Sequence, residues 1–406
     1  MSLAKNYFRL SVGVTGIQYL FFGINLIGGI FLARLLTPEL FGEIALVLSL
    51  LALLELFFTL SVSSAYIVTP QTKTLFSSAI ILTLISWGVL FVVVLLLLYP
   101  MLYFYDPTIV KYLVSIVIVR LFGYLGGIYL ANLDKNLQVY KSSLVSGISS
   151  LLSLVLALLV AVTEYQDFSL IARELTGGVI TFVLAIGLSR QRFTFIYQAD
   201  EIKILFRYSI KMFFSKAAET AYFKLPFFLI GSLFGMATLG LVSQMFYLAA
   251  LPNTALGAFT DKVAFTFYAK HNKDTNGQHL MFYTNVLIVL LTLPVALLVY
   301  FYSAEILLLI YGTKWIDGAV YLQYLSIMII LLPLFHNLRT YCYSITKNQL
   351  VTFSYIVAVI ALTIFVCVIY WYHISQYFLA LSISISYVVA FVLLISRFLK
   401  YKRDLL

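Results

Sequence analysis

The chain has 406 residues, of which 63% are hydrophobic and only 10% charged, with a formal net charge of +10. Soluble domains carry about 25% charged residues, so a water-soluble globule of this length is excluded. A membrane β-barrel is excluded too, because its strands alternate apolar and polar residues over segments of about ten, and the apolar stretches here run roughly twice as far.

Windows of about twenty residues predict an all-α polytopic membrane protein with about twelve transmembrane helices. In chain order the first six cover 9–35, 43–69, 75–103, 108–133, 142–164 and 168–189. The second six cover 206–234, 238–262, 279–303, 319–343, 350–372 and 376–398. The first stretch is too long for the apolar core of a signal peptide and lacks a small-residue cleavage site, so a retained helix is expected. The domain reading is an N-terminal six-helix bundle at 1–190, a linker at 191–205 and a C-terminal six-helix bundle at 206–406. Cys342 and Cys367 lie in or beside apolar segments without histidine or cysteine at ligand spacing. Neither a disulfide framework nor a metal site is expected.

Charge gives these helices an orientation. With the N-terminus in the cytoplasm, all but six of the 26 Lys and Arg residues fall on the cytoplasmic side. Arg34, Lys111, Arg173 and Lys314 fall outside, and Arg120 and Lys224 lie within the membrane. That excess is the positive-inside rule, and it puts both termini in the cytoplasm. The basicity is therefore topology rather than a nucleic-acid footprint. The densest basic stretch, Arg190 to Lys216, reads as a linker lying on anionic membrane lipid.

A weak repeat divides the helices six and six. Phe8-Arg9-Leu10-Ser11 aligns with Phe206-Arg207-Tyr208-Ser209, and at the same offset Leu35 and Gly42 align with Leu233 and Gly240. Transporters commonly use such repeats, with the substrate path at the interface between the copies.

Polar groups inside a bilayer are costly when unpaired, so their positions mark the protein interior. In the first helix Ser11, Thr15, Gln18, Asn25 and Gly29 share a face. In the second, Glu55, Thr59, Ser63 and Tyr66 form a stripe. Arg120 sits near the middle of the fourth, followed by Gly123, Tyr124 and Gly127, whose small-residue spacing permits close helix contact. The seventh carries Lys211, Ser215, Glu219 and Tyr222 on one face, with Lys216 beside it and Lys224 elsewhere. Pro226, Pro252, Pro294 and Pro333 are candidate kinks. Lys211 and Lys216 can equally snorkel to the interface, Glu219 can pair with a nearby lysine, and the stripes can be interhelical seams. Together they suggest a polar interior of both signs, in which cations hold an anionic group and a carboxylate takes up a proton or sodium ion. The histidines, His271, His279, His336 and His373, are scattered over loops and helix ends. No catalytic constellation stands out, so an enzyme is not expected.

Three stretches resemble the polysaccharide-repeat-unit (O-antigen) flippases of the multidrug/oligosaccharidyl-lipid/polysaccharide exporter superfamily. They are Leu32-Ala-Arg-Leu-Leu-Thr-Pro-Glu-Leu-Phe-Gly42, then Phe228-Leu-Ile-Gly-Ser-Leu-Phe-Gly235 with its continuation to Tyr268, and Tyr311-Gly-Thr-Lys-Trp315. The resemblance implies two six-helix bundles around a central, alternately opening cavity. It implies a lipid-linked oligosaccharide, usually on undecaprenyl pyrophosphate, carried across the bacterial inner membrane for lipopolysaccharide or other surface polysaccharide, with polymerase machinery as a partner. Arg120, Lys224 and Lys216, with Gln18 and Asn25, would bind substrate, and Glu55 and Glu219 would couple an ion (H+ or Na+), with no other cofactor. One departure concerns the seventh helix, where the family often has an acidic residue and this chain reads Tyr222-Phe-Lys-Leu-Pro226. The alternatives are an ion-coupled multidrug exporter of the same superfamily, which would favour acidic groups alone in its cavity, and a membrane glycan polymerase or ligase. The short outer loops argue against the latter.

Overall fold

The computed structural model describes residues 3–189, 191–260, 264–270 and 275–403. Arg190 and His271, and the side chains of Ser11, Lys211 and Ser215, lie outside the described residues. Every regular element of the described chain is a helix, with no strand among the described residues. In order the helices are α1 (Leu3–Leu35), α2 (Pro38–Phe58), α3 (Val62–Val68), α4 (Leu75–Phe104), α5 (Pro107–Lys135), α6 (Val139–Ala161), α7 (Ser169–Ser189) and α8 (Ala199–Phe234). There follow α9 (Met236–Phe259), α10 (Phe265–Lys270), α11 (Thr275–Phe301), α12 (Ser303–Ile310), α13 (Ala319–Leu325), α14 (Met328–Ser344), α15 (Asn348–Trp371) and α16 (Phe378–Arg403).

Among the described residues nine helices are long and apolar enough to cross a membrane, or ten if α13 and α14 form one bent span. At 1.5 Å per residue, α8 with 36 residues and α9 with 24 also have the length to cross. They bring the number to about twelve, as composition predicts.

Two predicted spans are broken, and polar side chains account for both breaks. The second stops at Phe58 and resumes at Val62. Thr59 turns its hydroxyl back to the Glu55 carbonyl (2.7 Å), while Ser86 of α4 accepts from the Leu60 amide (3.1 Å) and donates to the Phe58 carbonyl (2.9 Å). Backbone groups freed by the break are thus satisfied inside protein, as an apolar medium requires. The tenth span bends by 50° between α13 and α14, where Ser326 donates to the Gln323 carbonyl (2.8 Å). The bend lies upstream of Pro333, which stays inside α14; Pro226, Pro252 and Pro294 likewise lie within single helices.

The chain forms two compact units, one of Met1–Leu36 and Leu50–Lys216, the other of Thr37–Ser49 and Ala217–Leu406. In the first unit, α5 lies along α7. A Cβ on Gly178 would stand 3.4 Å from the Gly123 Cα, and one on Gly126 3.1 Å from the Phe182 Cα, so glycine sets how closely the two backbones approach. At one end of this unit Tyr66 donates to Asn132 (2.8 Å), whose amide donates to Ser189 (3.0 Å). Lys135 closes the end of α3 by donating to the Tyr66 and Thr69 carbonyls (2.8 and 2.6 Å).

The segment between α7 and α8 is tied to the same unit. Glu201, only 5% exposed, accepts from the hydroxyls of Thr72, Thr74 (2.8 Å) and Ser78 (2.5 Å). Ser77 and Ser78 in turn accept from the Thr194 and Gln198 amides, both at 3.3 Å.

In the second unit α9, α11 and α16 pack against α14. Its core includes the tilted, contacting rings of Tyr222, Tyr355 and Tyr387 and a fully buried Trp315 edge-on to Phe41, with centroids 5.2 Å apart.

Candidate functional site: buried charges within each unit

Three helices, α2, α5 and α7, bring three charges of the first unit together. Arg120 of α5 donates through Nε to Glu55 of α2 at 3.0 Å, and its Nη1 stands 3.7 Å from Glu174 of α7. Tyr124, one turn beyond Arg120, donates to the same Glu55 oxygen. Neighbouring turns explain the geometry: residues four apart on α5 present one face, and the cleft left by the α2–α3 break receives it. Side-chain exposures of 35% for Arg120, 19% for Glu55 and 28% for Glu174 leave the group partly open.

Beside it lies a polar cavity of about 310 Å³. Arg120, Arg173 and Glu174 line it, together with Ser146, Ser149, Ser150 and Ser153 of α6 and Thr181 of α7. Asn25 of α1 reaches its rim, donating to Ser150 (2.9 Å) and accepting from Arg173 (3.2 Å). A smaller cavity of about 120 Å³ adjoins the α2–α3 break, lined by Thr59, Ser63, Thr83, Ser86 and Tyr124 among others.

The structure therefore joins Glu55, Arg120 and Asn25, three residues the sequence singles out. Gln18 is exposed on α1 and is not among the residues lining either cavity. Lys216 is exposed and donates to Ser61 at 2.9 Å, beside the α2–α3 break. Lys224 is half-buried in the second unit and engaged.

Glu219 has a different partner from the lysine that its helix suggests. Arg339 of α14, with a side chain only 14% exposed, donates to Glu219, to the Tyr355 hydroxyl (3.2 Å) and to His336 Nδ1 (3.0 Å). Charge sorting places Arg339 on the cytoplasmic flank, but the structure holds it inside the helix packing as the counter-ion of Glu219. Arg173 and Glu174 escape the same sorting. They stand a turn inside α7 and within the predicted span 168–189, where Arg173 donates to Asn25 and Glu174 faces Arg120. Among the described residues no group of three metal-ligating side chains occurs.

A polytopic helical bundle with charged groups paired inside its units is the architecture of an integral membrane protein. The family model for polysaccharide biosynthesis proteins matches residues 31–320, and the chain belongs to that family. It is 24% identical over 306 residues to the succinoglycan biosynthesis transport protein ExoT of Rhizobium meliloti (strain 1021). The match covers 72% of this chain, which spans about 60% of the relative's length. The fold is similar to that of the lipid II flippase MurJ in an inward closed conformation (TM-score 0.72, 16% identity, 93% of this chain and 86% of that one). An inward-facing multidrug resistance MATE family transporter of the MOP superfamily is also similar (TM-score 0.66, 15% identity, 97% and 99% covered). So is a MOP superfamily transporter from Pyrococcus furiosus (TM-score 0.57, 15% identity, 96% and 94% covered).

Proposed function

We propose that this protein is a flippase that carries a lipid-linked oligosaccharide repeat unit from the cytoplasmic to the outer leaflet of a bacterial inner membrane. The observation that carries the reading is membership of the polysaccharide biosynthesis family on a fold like that of a lipid II flippase. Both termini lie in the cytoplasm, two six-helix bundles alternate access to a central cavity, and the polysaccharide polymerase machinery receives the product.

In this reading Arg120, Lys216 and Lys224, with Gln18 and Asn25, meet the substrate, and Glu55 and Glu219 respond to H+ or Na+. The ion pairs give that scheme its chemistry. A phosphate competes with Glu55 for the Arg120 guanidinium, since both offer oxygens in bidentate geometry. Protonating Glu55 removes the competitor and frees the cation for substrate; deprotonation returns it and releases substrate. Glu219 bears the same relation to Arg339.

Deletion is expected to abolish surface polysaccharide while lipid-linked units accumulate on the cytoplasmic leaflet. Units reaching the outer leaflet at the normal rate would sink the proposal. Export of drug cations, the reading suggested by the MATE likeness, fits less well, because the first-unit cavity is lined by two arginines and one carboxylate.

A further inference from the structure

We propose that the cavity among α5, α6 and α7 is a binding pocket for one uncharged sugar ring. For the class of ligand the assignment rests on the flippase reading; for the pocket itself it rests on which groups can give hydrogen bonds and which can only accept them. Ser146, Ser150, Ser153 and Thr181 spend their protons on carbonyls of their own helices, at 2.9–3.1 Å. Each therefore retains acceptor capacity, although Ser150 already accepts from Asn25. Glu174 is an acceptor only, and the Arg120 and Arg173 guanidiniums are donors only. Ser149 is 2% exposed, and its hydroxyl has no hydrogen-bond partner, a state that buried polar groups rarely tolerate without a ligand or water.

Charge balance decides among ligands. Arg120 is shared between Glu55 and Glu174, and Arg173 donates to Asn25, so both guanidiniums that line the cavity are already engaged by acceptors of the protein. An anion would face the Glu174 carboxylate and the lone pairs of the hydroxyls. A small cation would face two guanidiniums. A polyol, in which every hydroxyl both donates and accepts, satisfies both sets at once. The volume of about 310 Å³ leaves room for a hexose ring. The pocket would then read one sugar of the repeat unit.

Equilibrium dialysis of the detergent-purified full chain tests this, using radiolabelled glucose, galactose, N-acetylglucosamine, glucuronate and inorganic phosphate. At least one neutral sugar is expected to bind saturably, one per chain, with a Kd on the order of 1–10 mM. Ser149→Leu, which fills the pocket, is expected to weaken it more than about tenfold, a change of roughly 1.4 kcal/mol. Ser149→Ala, which removes only the hydroxyl, keeps the test sound if the larger side chain impairs folding; it is expected to weaken binding several-fold. The proposal is overturned by saturable binding of glucuronate or phosphate alone, which marks an anion site. It is equally overturned if no neutral sugar saturates below about 50 mM, which marks a hydrated void, or if both variants bind as the parent does. Binding is read without transport, so sugar binding in a protein that fails to flip lipid-linked units would sink the flippase reading and leave the pocket standing.

Discussion

Gly42 and Gly240 lie against each other as equivalent residues of equivalent helices. A Cβ on Gly42 would stand 1.9 Å from the Met236 carbonyl oxygen, and one on Gly240 would stand 1.7 Å from the Pro38 carbonyl oxygen. Pro38 and Met236 open α2 and α9, so the contact is reciprocal: each glycine receives the first carbonyl of the other's helix. Both helix starts belong to the second unit.

No side chain can be added at either glycine without parting the two helices, because the obstructing atoms are backbone. Gly42→Ala and Gly240→Ala are each expected to cost about 2–3 kcal/mol, the scale of overpacking in a close-packed interior. Gly187→Ala, where a Cβ would meet nothing within 4 Å, is the control and is expected to be neutral or slightly stabilising through helix propensity. Thermal midpoints of the purified protein compare the three directly. Equal midpoints for Gly240→Ala and Gly187→Ala would refute the tight contact.

That pair also shows what can be read from sequence and what cannot. The register linking Gly42 with Gly240 is visible as a repeat, and the spans follow from apolar length alone, because a bilayer imposes one period and one length on every helix. The partner of each buried charge is not visible. Glu55 and Arg120 are legible as costly residues, but Glu174 and Arg339 lie a turn or two inside helix ends, where a charge can equally reach the membrane interface. Pairing across helices depends on rotation and depth, neither of which a one-dimensional window carries. Likewise the α2–α3 break rests on Ser86, a residue of another helix.

Arg120 holds two carboxylates, so its removal should hurt more than removal of either partner. Arg120→Ala is expected to abolish complementation of polysaccharide export at normal protein levels, and Glu55→Gln to alter the pH or sodium dependence of transport. In a double-mutant cycle the Arg120–Glu55 coupling is expected near 1 kcal/mol, since the arginine side chain is about a third exposed and solvent weakens such pairs. Unimpaired export by Arg120→Ala would remove it from the substrate path.

Arg339 is far better enclosed, and its pair with Glu219 should behave differently. Arg339→Leu alone leaves Glu219, whose side chain is 35% exposed, without its cation and is expected to destabilise by about 1 kcal/mol, because solvent reaches the carboxylate. Adding Glu219→Leu should recover most of that loss, because replacing both charges with apolar groups removes the desolvation cost. If the recovered double variant also transports with unchanged pH and sodium dependence, Glu219 has no part in coupling and the pair is structural.

Glu201 offers a pH test away from the membrane. Burial alone would raise its carboxyl, but the hydrogen bonds from Ser78, Thr72 and Thr74 outweigh burial and hold it below the usual value of about 4.5. A depressed carboxyl contributes stability above its unfolded value and loses it as pH falls through the folded one. The tie between the 191–201 segment and the start of α4 is thus expected to be fully formed at neutral pH and to weaken only on acidification below about 4.5. Glu201→Gln can accept through its amide oxygen but carries no charge for the hydroxyls to stabilise. Its thermal midpoint should fall below that of the parent at pH 7, and the gap should narrow as pH drops through the carboxylate range. A gap that stays constant from neutral to acid pH would mean that the ionised carboxylate does not hold this segment in place.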